Sequence, residues 1–175
     1  MLPGLLDSIV HNAESVGRLL GLDGLDLRDL RYGAAFHDIG KIAVPESILN
    51  KPGPLTDAER AEVERHVVVG EQILAPIEFL AGVRPLVRHG HEHWDGSGYP
   101  DGLGGEQIPL GSRIILVCDA YDAMTSDRPY RRAMSQAAAR EELHRFAGTQ
   151  FDPAVVAALF EVLDRQKAPT VESGP

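Results

Sequence analysis

Residues Ile114-Ile115-Leu116-Val117-Cys118-Asp119-Ala120-Tyr121-Asp122-Ala123 decide the fold. A short apolar run such as Ile114 to Cys118 reads equally as a buried strand or a buried helix. Here Asp119, Asp122 and Ala123 continue it at i, i+3 and i+4, and no partner strand is evident elsewhere. The run is therefore read as helix. The fold class that follows is all-α: a helical bundle with long loops rich in glycine and proline.

Working outward, helical signals dominate. Thr56-Asp57-Ala58-Glu59 is a capping box, and Ala58, Val63, Val67, Gly70 and Leu74 trail it at helical spacing. Asp152-Pro153 reads as an N-cap followed by proline at the first helical position. Val155, Val156, Leu159, Val162 and Leu163 then form an apolar stripe. Ser135 is placed to cap a helix through Ala147, with Gly148 closing it. Leu27 to His37 and Val83 to His91 are shorter periodic pieces. Two long loops remain, Ala43 to Leu55 and His93 to Gly111. The second carries Trp94 and Tyr99, and a loop of that length is more often functional than idle.

The 175 residues suffice for one domain with a sizeable core, expected over 1–165, with 166–175 as a flexible tail. A composition of 43% hydrophobic and 25% charged residues is that of an ordinary globular protein. The single cysteine, Cys118, excludes an internal disulfide framework and reads as a small buried hydrophobe. The first ten residues lack a basic region and include Asp7, so they do not read as a signal peptide. No stretch approaches the roughly 20 apolar residues of a membrane span. A cytoplasmic location is the expectation. The net charge of −9 argues against general nucleic-acid binding. A small phosphorylated ligand is compatible with it, because bound cations and a few arginines reverse the field within one pocket. Arg128-Pro129-Tyr130-Arg131-Arg132 is the concentrated basic patch.

The apolar stretch before Ile42 contains an adjacent His37 and Asp38, and burying both is costly without compensation. A metal ion is the usual compensation. The candidate ligands are His37, Asp38, His66, His91 and Asp119. Successive intervals from His37 through His66 and His91 to Asp119 are 29, 25 and 28 residues. Each interval is about one helix plus one connection, so successive helices could each bring one ligand to a common point, as bundle cores do. His66 falls on the stripe with Val63 and Val67, His91 at i+4 from Val87, and Asp119 at i+4 from Ile115. Any one of these taken alone has a structural reading as a core histidine or a network carboxylate. The combination points to a divalent transition metal, since mixed imidazole and carboxylate ligands suit Fe, Mn, Ni or Zn better than Ca or Mg. Lys41, three residues beyond Asp38, is placed to neutralise a phosphate oxygen.

Three blocks resemble the HD-GYP domain, a bacterial branch of the HD phosphohydrolase superfamily. They are His37-Asp38-Ile39-Gly40-Lys41 through Gly53, His91-Glu92 through Gly98-Tyr99-Pro100-Asp101-Gly102, and Asp119 through Arg131. The segment Gly148-Thr149-Gln150-Phe151-Asp152-Pro153 also fits. The likeness covers roughly Gly17 to Leu163. It implies a bundle of the HD-domain type holding two divalent metal ions, iron or manganese foremost, and hydrolysis of cyclic di-GMP to pGpG or GMP. By position it implies His37, Asp38, His66, His91 and Asp119 as metal ligands, with Asp38 bridging. Lys41 then meets the scissile phosphate. Tyr99, Asp122, Arg128 and Arg131 fall at substrate-contacting positions. The implied partners are cyclic di-GMP, diguanylate cyclase (GGDEF) domains, and a sensor or receiver domain in a longer chain.

Two departures stand out. Where the family has two consecutive histidines before the glutamate, this chain has Gly90-His91, and His89 comes one residue early. Where the family has an earlier histidine, this chain has Leu5, with His11 about six residues late. The departures leave two expectations open. One is an active phosphodiesterase with water filling the open metal positions. The other is a degenerate domain that binds ligand or partner with little turnover, with His11 or His89 as substitute ligands in either case.

Overall fold

The structure, a computed structural model, describes residues 5–127 and 132–167. Nine α-helices are seen among them: α1 (Leu5–Leu19), α2 (Gly24–Phe36), α3 (Glu46–Leu49), α4 (Asp57–Glu64), α5 (His66–Leu74), α6 (Arg84–Arg88), α7 (Leu110–Thr125), α8 (Gln136–Arg145) and α9 (Pro153–Lys167). Short 3₁₀ segments at Ile39–Ala43, Glu78–Leu80 and Gly105–Gln107 link them. The described residues form no sheet. Two isolated bridges, His91 with Tyr99 and Ala147 with Phe151, are the extended pairings.

The helix reading of Ile114 to Ala123 holds, and α7 is the axle of the fold. Ile114, Ile115, Leu116, Val117 and Cys118 are all buried, as expected of a helix surrounded on every side. It packs against α1, α2, α6, α8 and α9. The main core joins it to Ala13 and Val16 of α1, Leu30 of α2, and Val155 and Leu159 of α9. A smaller apolar cluster of Leu74, Leu80, Val83 and Val87 sits under α5 and α6. Among the described residues, no helix is long and apolar enough to cross a membrane.

The caps form as the sequence signals. The Thr56 hydroxyl accepts from the Glu59 amide, while the Glu59 carboxylate accepts from the Thr56 amide at 2.7 Å. The Ser135 hydroxyl accepts from Ala138. Asp152 accepts from the Ala154 amide and also from Arg113, which ties the start of α9 to α7.

Several boundaries differ from the sequence reading. The helix begun at Thr56 does not run unbroken to Leu74: it is interrupted at Arg65, so that α5 opens on His66. The piece read as Val83 to His91 ends at Arg88, and His91 lies beyond it in extended backbone. The helix after Ser135 ends at Arg145 rather than Ala147. α9 continues to Lys167, so the expected boundary before Gln166 falls inside its last turn. The long loop is less irregular than expected. It holds a 3₁₀ turn and is anchored on the segment before α9, where Trp94 and Asp95 amides donate to Gln150 and Thr149 carbonyls.

Candidate metal centre

Gly40 brings the His-Asp pair to α5. A Cβ on Gly40 would lie 1.8 Å from the His66 carbonyl oxygen and 2.6 Å from the Gly70 amide nitrogen. Only a residue without a side chain lets the 3₁₀ segment press onto α5 this closely. The consequence is that Asp38, just before that segment, faces His66, the first residue of α5.

The five predicted metal ligands converge. The Asp38 carboxylate lies between two imidazoles: Oδ1 is 3.5 Å from His66 Nε2, and Oδ2 is 3.6 Å from His37 Nε2. His37 Nε2 is also 3.7 Å from Asp119 Oδ1. His66 and His91 meet edge to face with centroids 5.0 Å apart. Asp38, His66 and His91 each offer a ligand atom within 4.8 Å of the others.

The hydrogen bonds show what these atoms await. His37 Nδ1 lies 2.8 Å from the Ala34 carbonyl, and His66 Nδ1 lies 2.7 Å from the Val63 carbonyl. A carbonyl only accepts, so each Nδ1 carries a proton, and in the neutral ring Nε2 is left to present a lone pair to the centre. Nε2 of His37, His66 and His91, together with Asp38 Oδ1, is buried without a hydrogen-bond partner. Unpaired buried polar atoms are expensive and rare. Four of them aimed at one space, three imidazole and one carboxylate, fit a divalent transition metal of the kind that accepts mixed nitrogen and oxygen donors.

Electrostatics agree with this arrangement. Burial acts to raise Asp38, but His37 and Lys41 outweigh it and hold its pKa below the usual carboxylate value. Asp119 is likewise held low, mainly by His37 against the effect of burial. Burial lowers His66. Burial and the adjacent His66 push His91 down to about 4. His37 shifts the other way, because Asp119 and Asp38 overcome its burial. Carboxylates held ionised and two imidazoles held neutral are the states in which these groups ligate a metal.

The remaining predicted residues fall in different places. The Lys41 ammonium donates to Asp38 Oδ2 at 2.7 Å and is partly open to solvent. Tyr99 stacks on His91 with centroids 5.3 Å apart. Burial, then the carboxylates of Glu64, Asp38 and Asp119, push its phenol pKa up, so it remains an O–H donor. Asp122 is buried, and its carboxylate accepts from Ser8 and Ser126, which fastens α1 to the end of α7. Arg128 and Arg131 lie outside the described residues. His11 does not reach the centre: it is exposed on α1 and lines a groove with Ser15, Arg18 and Arg165. His89 does not substitute either. It sits 3.5 Å from Asp101 and 3.8 Å from Glu92, in a separate cluster.

Glu92 is the residue that sequence reasoning passed over. It is 1% exposed and accepts from the Asp101 amide at 2.7 Å and the Leu103 amide at 3.0 Å. Its signal was the loop itself: glycine-rich backbone folded inward must find acceptors for its N–H groups.

A bundle that gathers a His-Asp pair, two further histidines and an aspartate from helices and the segments that follow them around unpaired donor atoms belongs to a class of divalent-metal proteins. Residues 3–155 match the family described as HD domain, and the chain belongs to that family, in its HD-GYP branch. It is 43% identical over 157 residues to the cyclic di-GMP phosphodiesterase response regulator RpfG of Xanthomonas campestris pv. campestris, covering 88% of this chain and 41% of that one. It is 39% identical over 165 residues to 3'3'-cGAMP-specific phosphodiesterase 3 of Vibrio cholerae, covering 92% of this chain and 35% of that one. A solved structure of a cyclic GMP-AMP specific phosphodiesterase of V. cholerae (V-cGAP3) shares the fold, with a TM-score of 0.73 at 21% identity over 93% of this chain and 44% of that one. The chain therefore spans about two-fifths or less of the length of the curated relatives named here.

Proposed function

We propose that the chain is a metal-dependent phosphodiesterase that hydrolyses cyclic di-GMP to pGpG or GMP. The observation that carries the reading is the set of unpaired Nε2 atoms of His37, His66 and His91 around Asp38. Two divalent ions, iron or manganese, with nickel or zinc accepted by the same donor types, would be held by His37, Asp38 and Asp119 on one side and by Asp38, His66 and His91 on the other. Asp38 is the proposed bridge, because its two oxygens face different histidines. Ions bound there supply Lewis acidity and a water acidified enough to attack a phosphodiester in line.

The side chains around the centre bind and orient. Lys41 extends its ammonium from the Asp38 carboxylate toward solvent, where it can neutralise a non-bridging or leaving oxygen as charge grows. Tyr99 keeps its proton and is proposed as a hydrogen-bond donor to the substrate, its ring against His91. Arg128 and Arg131 are proposed as phosphate and guanine contacts on the sequence match alone. Cyclic di-GMP is the proposed ligand, and a diguanylate cyclase domain and a sensor or receiver domain are the proposed partners, again on the resemblance.

A second reading, a ligand-binding module with little turnover, is favoured by Gly90, which adds no imidazole where the family pattern has one. One assay separates the two. Purified protein with Mn²⁺ or Fe²⁺ is given cyclic di-GMP and, in parallel, 3'3'-cGAMP. Release of pGpG from cyclic di-GMP is the expected result. Binding without product selects the module, and cleavage of 3'3'-cGAMP alone reassigns the substrate.

A further inference from the structure

The three histidines of the centre are not fixed alike. His37 and His66 are each locked by an Nδ1–H bond to the carbonyl three residues earlier. A helical turn supplies those carbonyls. His91 lies past the end of α6, and among the described residues no hydrogen bond holds its Nδ1. Its Nε2 is nevertheless buried, and the ring brings a ligand nitrogen within 4.8 Å of ligand atoms of Asp38 and His66. Some other contact must set the ring.

That contact is Tyr99. The two rings stack with an interplanar angle of 10° and centroids 5.3 Å apart, and His66 meets both edge to face, at 5.0 Å from His91 and 6.5 Å from Tyr99. The backbone joins in, with the Tyr99 amide donating to the His91 carbonyl at 3.2 Å. Gly98 makes the approach possible. A Cβ there would lie 2.2 Å from the His93 amide nitrogen and 2.5 Å from the His91 carbonyl oxygen. Behind them, buried Glu92 binds the amides of Asp101 and Leu103 and fixes the far limb of the loop.

We infer that Tyr99 is a positioning residue for the metal centre, its ring taking over for His91 the orienting task that backbone carbonyls perform for His37 and His66. The inference rests on the metal-centre reading. It assigns Gly98-Tyr99 a job inside the protein, apart from any contact with substrate or partner. Groups that orient a ligand typically change metal affinity by roughly 10- to 100-fold when removed.

The test compares Tyr99→Phe, which keeps the ring, with Tyr99→Leu, which keeps apolar volume without a face to stack. Mn²⁺ affinity is measured by competition with a chromophoric chelator, and the visible spectrum of the Co²⁺ form is recorded. Circular dichroism of the metal-free forms confirms folding. The expected result is near wild-type affinity and spectrum for Tyr99→Phe. For Tyr99→Leu, affinity falls by about tenfold or more and the Co²⁺ spectrum shifts. Equal affinity and spectrum for the two variants overturns the positioning role, as does a folded Tyr99→Leu that binds like wild type. A wild-type chain that takes up neither ion overturns the metal-centre reading itself and the inference with it.

Discussion

Two clusters of histidine and carboxylate share the segment His89 to Glu92. One is Asp38, His66 and His91; the other is His89, Glu92 and Asp101. Both bring their ligand atoms within 4.8 Å. Their hydrogen bonds differ. In the second, Arg88 forks onto Asp101 at 2.7 and 2.9 Å and reaches Glu71 at 2.8 Å, while Glu92 is filled by two backbone amides. A guanidinium already neutralises Asp101. In the first, the imidazole nitrogens and a carboxylate oxygen face one another unpaired. Residue type and spacing therefore do not make a metal site. His89 Nδ1 is also buried unpaired, but the carboxylates beside it are engaged by Arg88 and by backbone amides, whereas the first cluster gathers three unpaired imidazole nitrogens and an unpaired carboxylate oxygen.

The largest effect should separate the clusters outright. Asp38→Ala removes the carboxylate proposed as the bridge, and metal analysis of the purified variant should find neither ion. Asp101→Ala, the matching deletion in the second cluster, should leave metal content at the wild-type level. Full occupancy in Asp38→Ala would overturn the bridging assignment. A related substitution adds an imidazole to the first cluster. A Cβ at Gly90 meets the Leu86 and Val87 carbonyls at ordinary contact distances of 3.4 and 3.5 Å, so Gly90→His starts without a backbone clash. It should raise the affinity for one ion in a Mn²⁺ titration, and an unchanged isotherm would show that position 90 does not face the centre.

Much of this was legible in the chain. The spacing of Asp119 and Asp122 after Ile114 to Cys118 was enough to turn an ambiguous run into the central helix. The five candidate ligands were chosen from type and interval, and the fold brings their side chains together. The supposition that each sits inside its own helix was not right. His37 and Asp38 follow α2, His91 follows α6, and only His66 and Asp119 are helical. The break at Arg65 carries no glycine or proline, and Arg65 keeps helical dihedrals, so nothing local announces it. The pairing of His91 with Tyr99 depends on a close approach at Gly98, which periodicity cannot encode. Glu92 and Asp122 are buried by tertiary contacts with amides and hydroxyls distant in sequence, and those partners are invisible to a local pattern.

Stability should distinguish the clusters next. Glu92→Gln leaves one of two loop amides facing an NH₂ group instead of an acceptor. The cost of such an unsatisfied buried group is about 1–3 kcal/mol, a fall of roughly 3–10 °C in thermal midpoint. Calorimetry should find it with or without metal, because the second cluster is structural. The first cluster should instead make the metal-free protein acid-sensitive. His91 is held down to about 4 and His66 is also lowered, so the unfolded chain binds protons that the native rings refuse. Stability from these two is present above the unfolded value of about 6.5 and is lost as pH falls toward 4. His37, raised by its carboxylates, contributes in the opposite sense. The contribution of His91 is read by difference: between pH 6.5 and 4 the urea midpoint of chelator-treated wild type should fall more steeply than that of His91→Gln.

The smallest effect is the most discriminating. His89 is one residue from Gly90 and two from His91, and by sequence it is as good a ligand candidate as either neighbour. Its Nδ1 faces Asp101 and Glu92 beyond hydrogen-bond length, and both carboxylates are already engaged. Removing it should therefore cost little: His89→Gln should change stability by about 0.5 kcal/mol or less and leave Mn²⁺ affinity at the wild-type value. A clear drop in affinity would mean that His89 turns from its own cluster toward the centre when an ion arrives. The boundary between a structural cluster and a metal-binding one would then be set by the ion rather than by hydrogen bonds made in advance.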